Sequence, residues 1–156
     1  MTTRPRVVFD CNVCFQALTS PRGPAGELFV RATDGQFDLF VSSHLFDELT
    51  DVASRPQIVR KYGTSPEIVA EFIAAVRSFA TFVDSVPQVF EFPRDPKDAH
   101  YIDLAVAVDA KLVVSRDKDL LSLADLGTPE GQDFKSRFPD LSILTPPELL
   151  KLLEQS

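Results

Sequence analysis

Four carboxylates lie at predicted junctions between a strand and the helix that follows it: Asp10, Glu48, Asp98 and Asp117. In a parallel α/β sheet these junctions meet at one edge, which is where such folds bind their ligands. Carboxylate oxygens are preferred ligands of Mg²⁺ and Mn²⁺, and catalytic sites use these ions to activate water and to neutralise phosphoryl charge. The four residues therefore predict a divalent-metal site suited to phosphoryl chemistry.

Helix capping could explain two of these carboxylates, but it explains the other two poorly. Asp98 lies three residues after a predicted N-cap, and Asp117 directly precedes a short helix, where acidic residues are favoured. Glu48, in contrast, falls on the inward side of its predicted helix. Asp10 ends the expected central strand, where an unpaired charge costs several kcal/mol. A bound cation would supply the charge that the neighbouring residues lack.

Short β-branched or aromatic runs alternate with longer segments of helical periodicity. Strands are predicted at 7–10, 39–43, part of 82–92, 112–115 and 141–145. Helices are predicted near 24–34, 43–54, 65–79 and 95–109, with a short helix after residue 117 and a final one from residue 145. This alternation predicts an α/β fold whose parallel sheet is covered by helices on both faces.

Three segments carry more detailed expectations. A capping box with proline at the first helical position, Thr145 to Glu148, marks the start of the last helix. The apolar stripe of the 65–79 helix is expected to lie in the core. Its members are Ile68, Val69, Phe72, Ile73, Val76 and Phe79. Residues 127–139 are expected to form an irregular surface segment.

The chain has 156 residues, a net charge of −7 and 44% hydrophobic residues, which fits a single domain over 1–156. Its acidity argues against a protein that holds nucleic acid through a broad basic surface. No segment resembles a signal peptide, and no apolar run approaches the roughly 18 residues of a membrane span. We therefore expect a cytoplasmic protein with no membrane partner.

The carboxylates lie in motifs that resemble the PIN-domain family of metal-dependent nucleases, in particular the VapC-like toxins of bacterial toxin–antitoxin pairs. The resemblance rests on four fragments in order: Val7 to Val13, Glu48 to Pro56, Asp95 to Ala99 and Val114 to Leu121. It implies a PIN-like three-layer α/β/α sandwich with about five parallel strands in the order 3-2-1-4-5. It also implies hydrolysis of single-stranded RNA with Mg²⁺ or Mn²⁺, an antitoxin protein as partner, and a homodimer.

The resemblance also assigns roles to single residues. The family's acidic catalytic set matches Asp10, Glu48, Asp98 and Asp117. The expected metal ligands are Asp10, Asp98, Asp117 and Asp119, and Glu48 is either a further ligand or the group that orients the attacking water. Asn12 matches the asparagine that orients the first carboxylate by hydrogen bonding. Three arginines near the motifs are candidates for contacts with RNA phosphates: Arg55, Arg94 and Arg116.

Cys11 departs from the family pattern, which has threonine or serine between Asp10 and Asn12. A thiol is a weaker hydrogen-bond donor than a hydroxyl, so one alternative is a PIN-like binding scaffold with weak or lost activity. A second alternative is a thiol redox protein, because Cys11 and Cys14 form a C-x-x-C motif after a strand. Asp10 beside the pair opposes that chemistry by disfavouring the thiolate.

Overall fold

Five short apolar runs form one fully parallel sheet in the order β3-β2-β1-β4-β5. The structure is a computed structural model, and it describes residues 3–155. The strands are β1 Arg6–Phe9, β2 Asp38–Ser42, β3 Thr81–Val83, β4 Leu112–Val114 and β5 Ser142–Leu144. This order confirms the predicted α/β class and the predicted position of the first strand beside the fourth.

Helices connect the strands and flank the sheet. Before the third strand they are α1 Cys11–Thr19, α2 Pro24–Thr33, α3 Ser43–Ala53, α4 Pro56–Tyr62 and α5 Pro66–Phe79. After it come a 3₁₀ turn, Pro96–Asp98, and the helices α6 Ala99–Ala107, α7 Lys118–Ser122, α8 Pro129–Arg137 and α9 Pro146–Glu154. Within residues 3–155, no helix combines the length and the apolar character that crossing a membrane requires.

The core is centred on β1, where Val7, Val8 and Phe9 are completely buried. Their apolar sequence fits a central strand that is covered on both faces. Phe9 packs edge-to-face on Phe29 of α2, which in turn packs against Phe72 of α5. Such contacts add about 0.5 to 1.5 kcal/mol to the energy of burial. They fix the central strand whose end carries Asp10.

The prediction of an irregular segment at 127–139 is wrong, because most of it forms α8. Thr128 caps this helix by accepting a hydrogen bond from the Gly131 N–H, and Pro129 occupies its first turn. The helix is short and polar, and it buries Phe134 as its largest side chain. Its sequence therefore lacks the repeated apolar stripe by which a longer helix is recognised.

The segment between α3 and α6 also differs from the prediction in detail. Residues 56–62 form α4, which the predicted helices did not include, and the strand in this part of the chain is only Thr81–Val83. In the amphipathic helix α5, Val69 and Val76 are buried, but Ile68 is 43% exposed. The core-facing stripe is therefore narrower than the periodicity predicts. The capping box at the start of α9 is confirmed.

Candidate active site

Strand register brings Asp10 beside Ser115 at the carboxyl edge of the sheet. Phe9 pairs with Val114, and the Asp10 N–H donates to the Val114 carbonyl at 3.1 Å. Ser115, which follows β4, is completely buried and donates its hydroxyl hydrogen to Asp10 Oδ2. The same Ser115 oxygen accepts from the Asp117 N–H at 2.9 Å. Ser115 therefore links the first and last carboxylates of the predicted set.

Asp10 is both a buried carboxylate and the N-cap of α1. It is 2% exposed, and its Oδ1 accepts from the Val13 N–H at 3.0 Å. Burial raises the pKa of Asp10 from 3.8 to about 7, although the bonds from Ser115 and Val13 act in the opposite direction. These two hydrogen bonds to Asp10 come from Val13 and Ser115, not from Asn12. The predicted role of Asn12 in orienting Asp10 stays a prediction.

Asp98 ends the 3₁₀ turn before α6 and lacks compensation for its charge. It is 6% exposed, and its Oδ2 is buried with no hydrogen-bond partner among the described residues. Burial raises the pKa of Asp98 from 3.8 to about 9, with further contributions from Asp117 and Asp95. An oxygen in this position is suited to binding a cation.

Two further carboxylates, those of Asp95 and Asp119, lie beside Asp117. Oxygen atoms of Asp95, Asp117 and Asp119 all lie within 4.8 Å of one another. Asp117 also caps α7, because its Oδ1 accepts from the Asp119 N–H at 3.0 Å. With the unpartnered Asp98 oxygen, this oxygen-only set fits a hard divalent cation such as Mg²⁺ or Mn²⁺. Asp95 is the predicted N-cap before Asp98, but its side chain makes no capping hydrogen bond.

Glu48 of α3 faces the same space from the other side. Its Oε1 accepts from the Tyr101 hydroxyl at 2.5 Å and lies 3.5 Å from Nε2 of His44. Burial alone would raise the pKa of Glu48, but His44 and Tyr101 outweigh this effect and lower the pKa below its ordinary value. Glu48 therefore favours the ionised form, whereas Asp10 and Asp98 favour protonation in the absence of a cation.

These carboxylates line one cleft of about 260 Å³, which we call the acidic cleft. Its acidic residues are Asp10, Glu48, Asp95, Asp98 and Asp117, and its other lining residues are Cys11, Asn12, Val52, Arg55 and Lys97. The structure thus brings together the four predicted catalytic carboxylates. Asp119 does not line the cleft, but its carboxylate lies close to that of Asp117, which does.

The three predicted phosphate-binding arginines are not together. Arg55 lines the acidic cleft and pairs with Asp51 at 3.1 Å. Arg94 pairs with Glu130 at 2.8 Å, and Arg116 lines a separate cavity of about 220 Å³. Lys97, which sequence analysis did not select, is the second cation of the cleft lining.

Both cysteines are buried and carry free thiols. Burial raises the pKa of Cys11, and Glu48 and Asp10 raise it further. Burial likewise raises the pKa of Cys14 well above its ordinary value. Because the thiolate is the reactive form, this environment opposes a thiol redox function.

Two residues that were not among the predicted site residues hold the carboxylates in place: Ser115 and Tyr101. Ser115 lies two residues before Asp117, directly after a strand, so its position at the sheet edge was a usable signal. Tyr101 lies in the first turn of α6, three residues after Asp98, which places both on the same side of the chain. Neither residue type indicates this role without the fold.

A fully parallel sheet with this strand order and a carboxylate-lined cleft at its carboxyl edge defines an α/β protein with a candidate metal-dependent hydrolytic site. The model of the PIN domain matches residues 6–119. The chain belongs to the PIN-domain family, and this membership supports a nuclease.

The fold is also similar to that of a solved structure. The similar chain belongs to the crystal structure of VapBC2 from Rickettsia felis, which is bound to a DNA fragment from the VapBC2 promoter. It superposes on this protein with a TM-score of 0.55 and is 15% identical in sequence. The match covers 90% of this chain and 98% of that chain. At this identity the likeness concerns the fold. Comparison with curated proteins gives no significant sequence match.

Proposed function

We propose that this protein is a metal-dependent endoribonuclease that hydrolyses phosphodiester bonds of single-stranded RNA. The observation that carries the proposal is the acidic cleft, in which Asp98 holds a buried carboxylate oxygen that has no hydrogen-bond partner within residues 3–155, near Asp117 and Asp95. Membership of the PIN-domain family supports a nuclease at this position. The choice of RNA follows from the resemblance to VapC-like toxins.

The carboxylates divide into two roles. Asp10, Asp98 and Asp117, with Asp95 and Asp119 beside them, would hold Mg²⁺ or Mn²⁺. A bound divalent cation supplies Lewis acidity and neutralises charge on the phosphate that is attacked. Glu48, which the lowered pKa keeps ionised, accepts a hydrogen bond from water in the cleft and orients that water toward phosphorus, or it adds a further ligand.

Positive charge at the rim of the cleft supports binding of a phosphate backbone. Arg55 and Lys97 are both exposed cleft residues, so they can contact phosphates of a strand bound in the cleft. Arg116 opens onto a neighbouring cavity and would contact RNA that extends past the cleft. Arg94 is the weakest candidate because it pairs with Glu130 and lines neither the acidic cleft nor the cavity beside Arg116.

The contacts of Ser115 weaken the alternative of an inactive scaffold. That alternative rests on the loss of a hydroxyl at Cys11. Ser115 supplies a hydroxyl to Asp10 from the adjacent strand end, so the carboxylate keeps an O–H donor. An active enzyme is therefore favoured over a scaffold.

We further propose that the chain is the toxin of a toxin–antitoxin pair. The resemblance to VapC-like toxins and the fold shared with a VapBC2 structure support an antitoxin as partner. A basic segment of such a partner would complement the negative charge of the acidic cleft. Expression of the chain alone should arrest growth, and co-expression of the product of a neighbouring reading frame should relieve it. A homodimer and a cytoplasmic location stay predictions.

A cleavage assay with single-stranded RNA tests the enzymatic proposal. Wild-type protein should cleave in Mn²⁺ or Mg²⁺ and not in EDTA, and Asp10→Asn should abolish cleavage. Asparagine still caps a helix well, so this variant keeps the start of α1. Asp47→Asn, on the exposed side of α3, is the matched control and should cleave like the wild type. Cleavage in EDTA, or full activity of Asp10→Asn, would contradict the proposal.

A further inference from the structure

The hydroxyl of Tyr101 connects three elements of the acidic cleft at one atom. It donates to Glu48 Oε1 at 2.5 Å and accepts from the Cys11 backbone N–H at 3.2 Å. Tyr101 belongs to α6, Glu48 to α3, and Cys11 begins α1 directly after Asp10. The phenol therefore sets the position of the Glu48 carboxylate relative to the chain segment that carries Asp10.

Tyr101 cannot act by touching a substrate. It is 1% exposed and does not line the acidic cleft. Its ring packs edge-to-face on His44, at 5.6 Å between ring centroids, and His44 in turn lies 3.5 Å from Glu48. Any influence of Tyr101 on chemistry in the cleft must therefore pass through Glu48 or through the backbone at Cys11.

We propose that Tyr101 is a positioning residue for Glu48. By holding Oε1, the phenol fixes one oxygen of the carboxylate and leaves the other for a water molecule or a cation in the cleft. A side chain as flexible as glutamate otherwise samples several rotamers, and fixing it reduces the entropy lost when it engages its target. Two measurements test this inference, RNA cleavage and stabilisation by Mn²⁺, and the first of them rests on the proposed nuclease function.

The chain offers a closely matched pair of variants, because it contains two tyrosines. Tyr101→Phe removes only the hydroxyl group, which donates a hydrogen bond to Glu48. Tyr62→Phe makes the same chemical change at a side chain that is 42% exposed at the end of α4, outside the cleft lining. The first readout is kcat and KM for RNA at saturating Mn²⁺. The second is the Mn²⁺ concentration that gives half of the maximal rise in Tm.

Tyr101→Phe should reduce kcat or Mn²⁺ affinity by about tenfold, as expected for a residue that orients a functional carboxylate from behind. KM for RNA should stay within about twofold of the wild type, because Tyr101 does not reach the substrate. Tyr62→Phe should leave both readouts unchanged. A Tyr101→Phe variant that matches the wild type in both readouts would overturn the inference.

The Glu48→Ala background separates positioning from a purely structural role. Tyr101→Phe also leaves the buried Cys11 N–H without its acceptor, and this loss occurs whether or not Glu48 is present. If Tyr101 acts through Glu48, adding Tyr101→Phe to Glu48→Ala should change kcat and half-saturating Mn²⁺ by less than about twofold. An undiminished effect in that background would make Tyr101 a packing residue and overturn the inference.

The two readouts distinguish failure of this inference from failure of the proposed function. If the wild type cleaves no RNA but is stabilised by Mn²⁺, the nuclease proposal fails, and the inference then stands if Tyr101→Phe raises the half-saturating Mn²⁺ concentration and falls if it does not. If the wild type cleaves RNA and the four-variant cycle shows no coupling, only the inference fails. A wild type that neither cleaves RNA nor gains stability from Mn²⁺ overturns both.

Discussion

Replacing Asp98 by asparagine is expected to stabilise the protein in the absence of a cation at neutral pH. Burial, with Asp117 and Asp95 nearby, raises the pKa of Asp98 from 3.8 to about 9. At a pH between these two pKa values, Asp98 keeps its proton in the folded protein and has released it in the unfolded chain. The free energy of unfolding therefore falls as the pH rises from about 4 to about 9, and it is highest below the unfolded pKa.

The size of the effect follows from this pKa difference. At pH 7 the pH lies about 3 units above the unfolded pKa of 3.8, and at 1.4 kcal/mol per unit this costs about 4 kcal/mol. Solvent in the cleft screens the Asp98 carboxylate, so we expect roughly half of this cost. Asparagine has nearly the same volume and no charge. A gain of roughly 2 kcal/mol raises the Tm of a chain this size by roughly 4 to 8 °C.

Thermal unfolding in EDTA at about pH 5 and about pH 8 measures this difference. Asp98→Asn should unfold at a higher temperature than the wild type at the higher pH, and the two should approach each other at the lower pH. Added Mn²⁺ should stabilise the wild type more than the variant, because it binds the folded state through the removed carboxylate. Asp47→Asn serves as the control. Equal Tm values at the higher pH, or a less stable Asp98→Asn, would refute the reasoning.

Three other perturbations test separate features. Ser115→Ala removes the hydroxyl that donates a hydrogen bond to Asp10. The Mn²⁺ concentration that gives half of the maximal rise in Tm should therefore increase about tenfold. An unchanged Mn²⁺ titration would contradict this role of Ser115. Gly26→Ala places a Cβ 2.0 Å from the Pro21 carbonyl oxygen, so urea unfolding should show a loss of about 1 to 3 kcal/mol, and undiminished stability would be inconsistent with this packing. Iodoacetamide should label both buried cysteines after denaturation but neither in the native protein, and rapid native labelling would restore the thiol redox alternative.

The convergence of the carboxylates could be predicted because topology dictates it. Asp10 and Asp117 follow neighbouring parallel strands, so their proximity depends only on strand order and on which end of each strand they occupy. Asp98 immediately precedes α6, and Glu48 lies in the middle of α3, the helix that follows β2 from the same edge. Apolar runs and helix starts are local patterns, and they are legible in the sequence.

The groups that orient these carboxylates could not be predicted in the same way. Tyr101 contacts Glu48 from another helix, 53 residues away in the sequence. The contact therefore depends on the orientation in which α6 and α3 pack on the sheet. Ser115 reaches Asp10 across 105 residues through the register of two strands. The misread segment at 127–139 has a different cause, since a short polar helix with one buried aromatic gives little periodic signal.

Asp10 couples the first turn of α1 to the contents of the acidic cleft. One of its oxygens accepts a hydrogen bond from the Val13 N–H in the first turn of the helix, and the Asp10 side chain also lines the cleft. Opening of this turn, which would expose the Val13 amide to exchange with solvent deuterium, also releases Asp10 from its position. A ligand that holds Asp10 should therefore slow hydrogen exchange at Val13, so a backbone amide outside the cleft lining would report occupancy of the cleft.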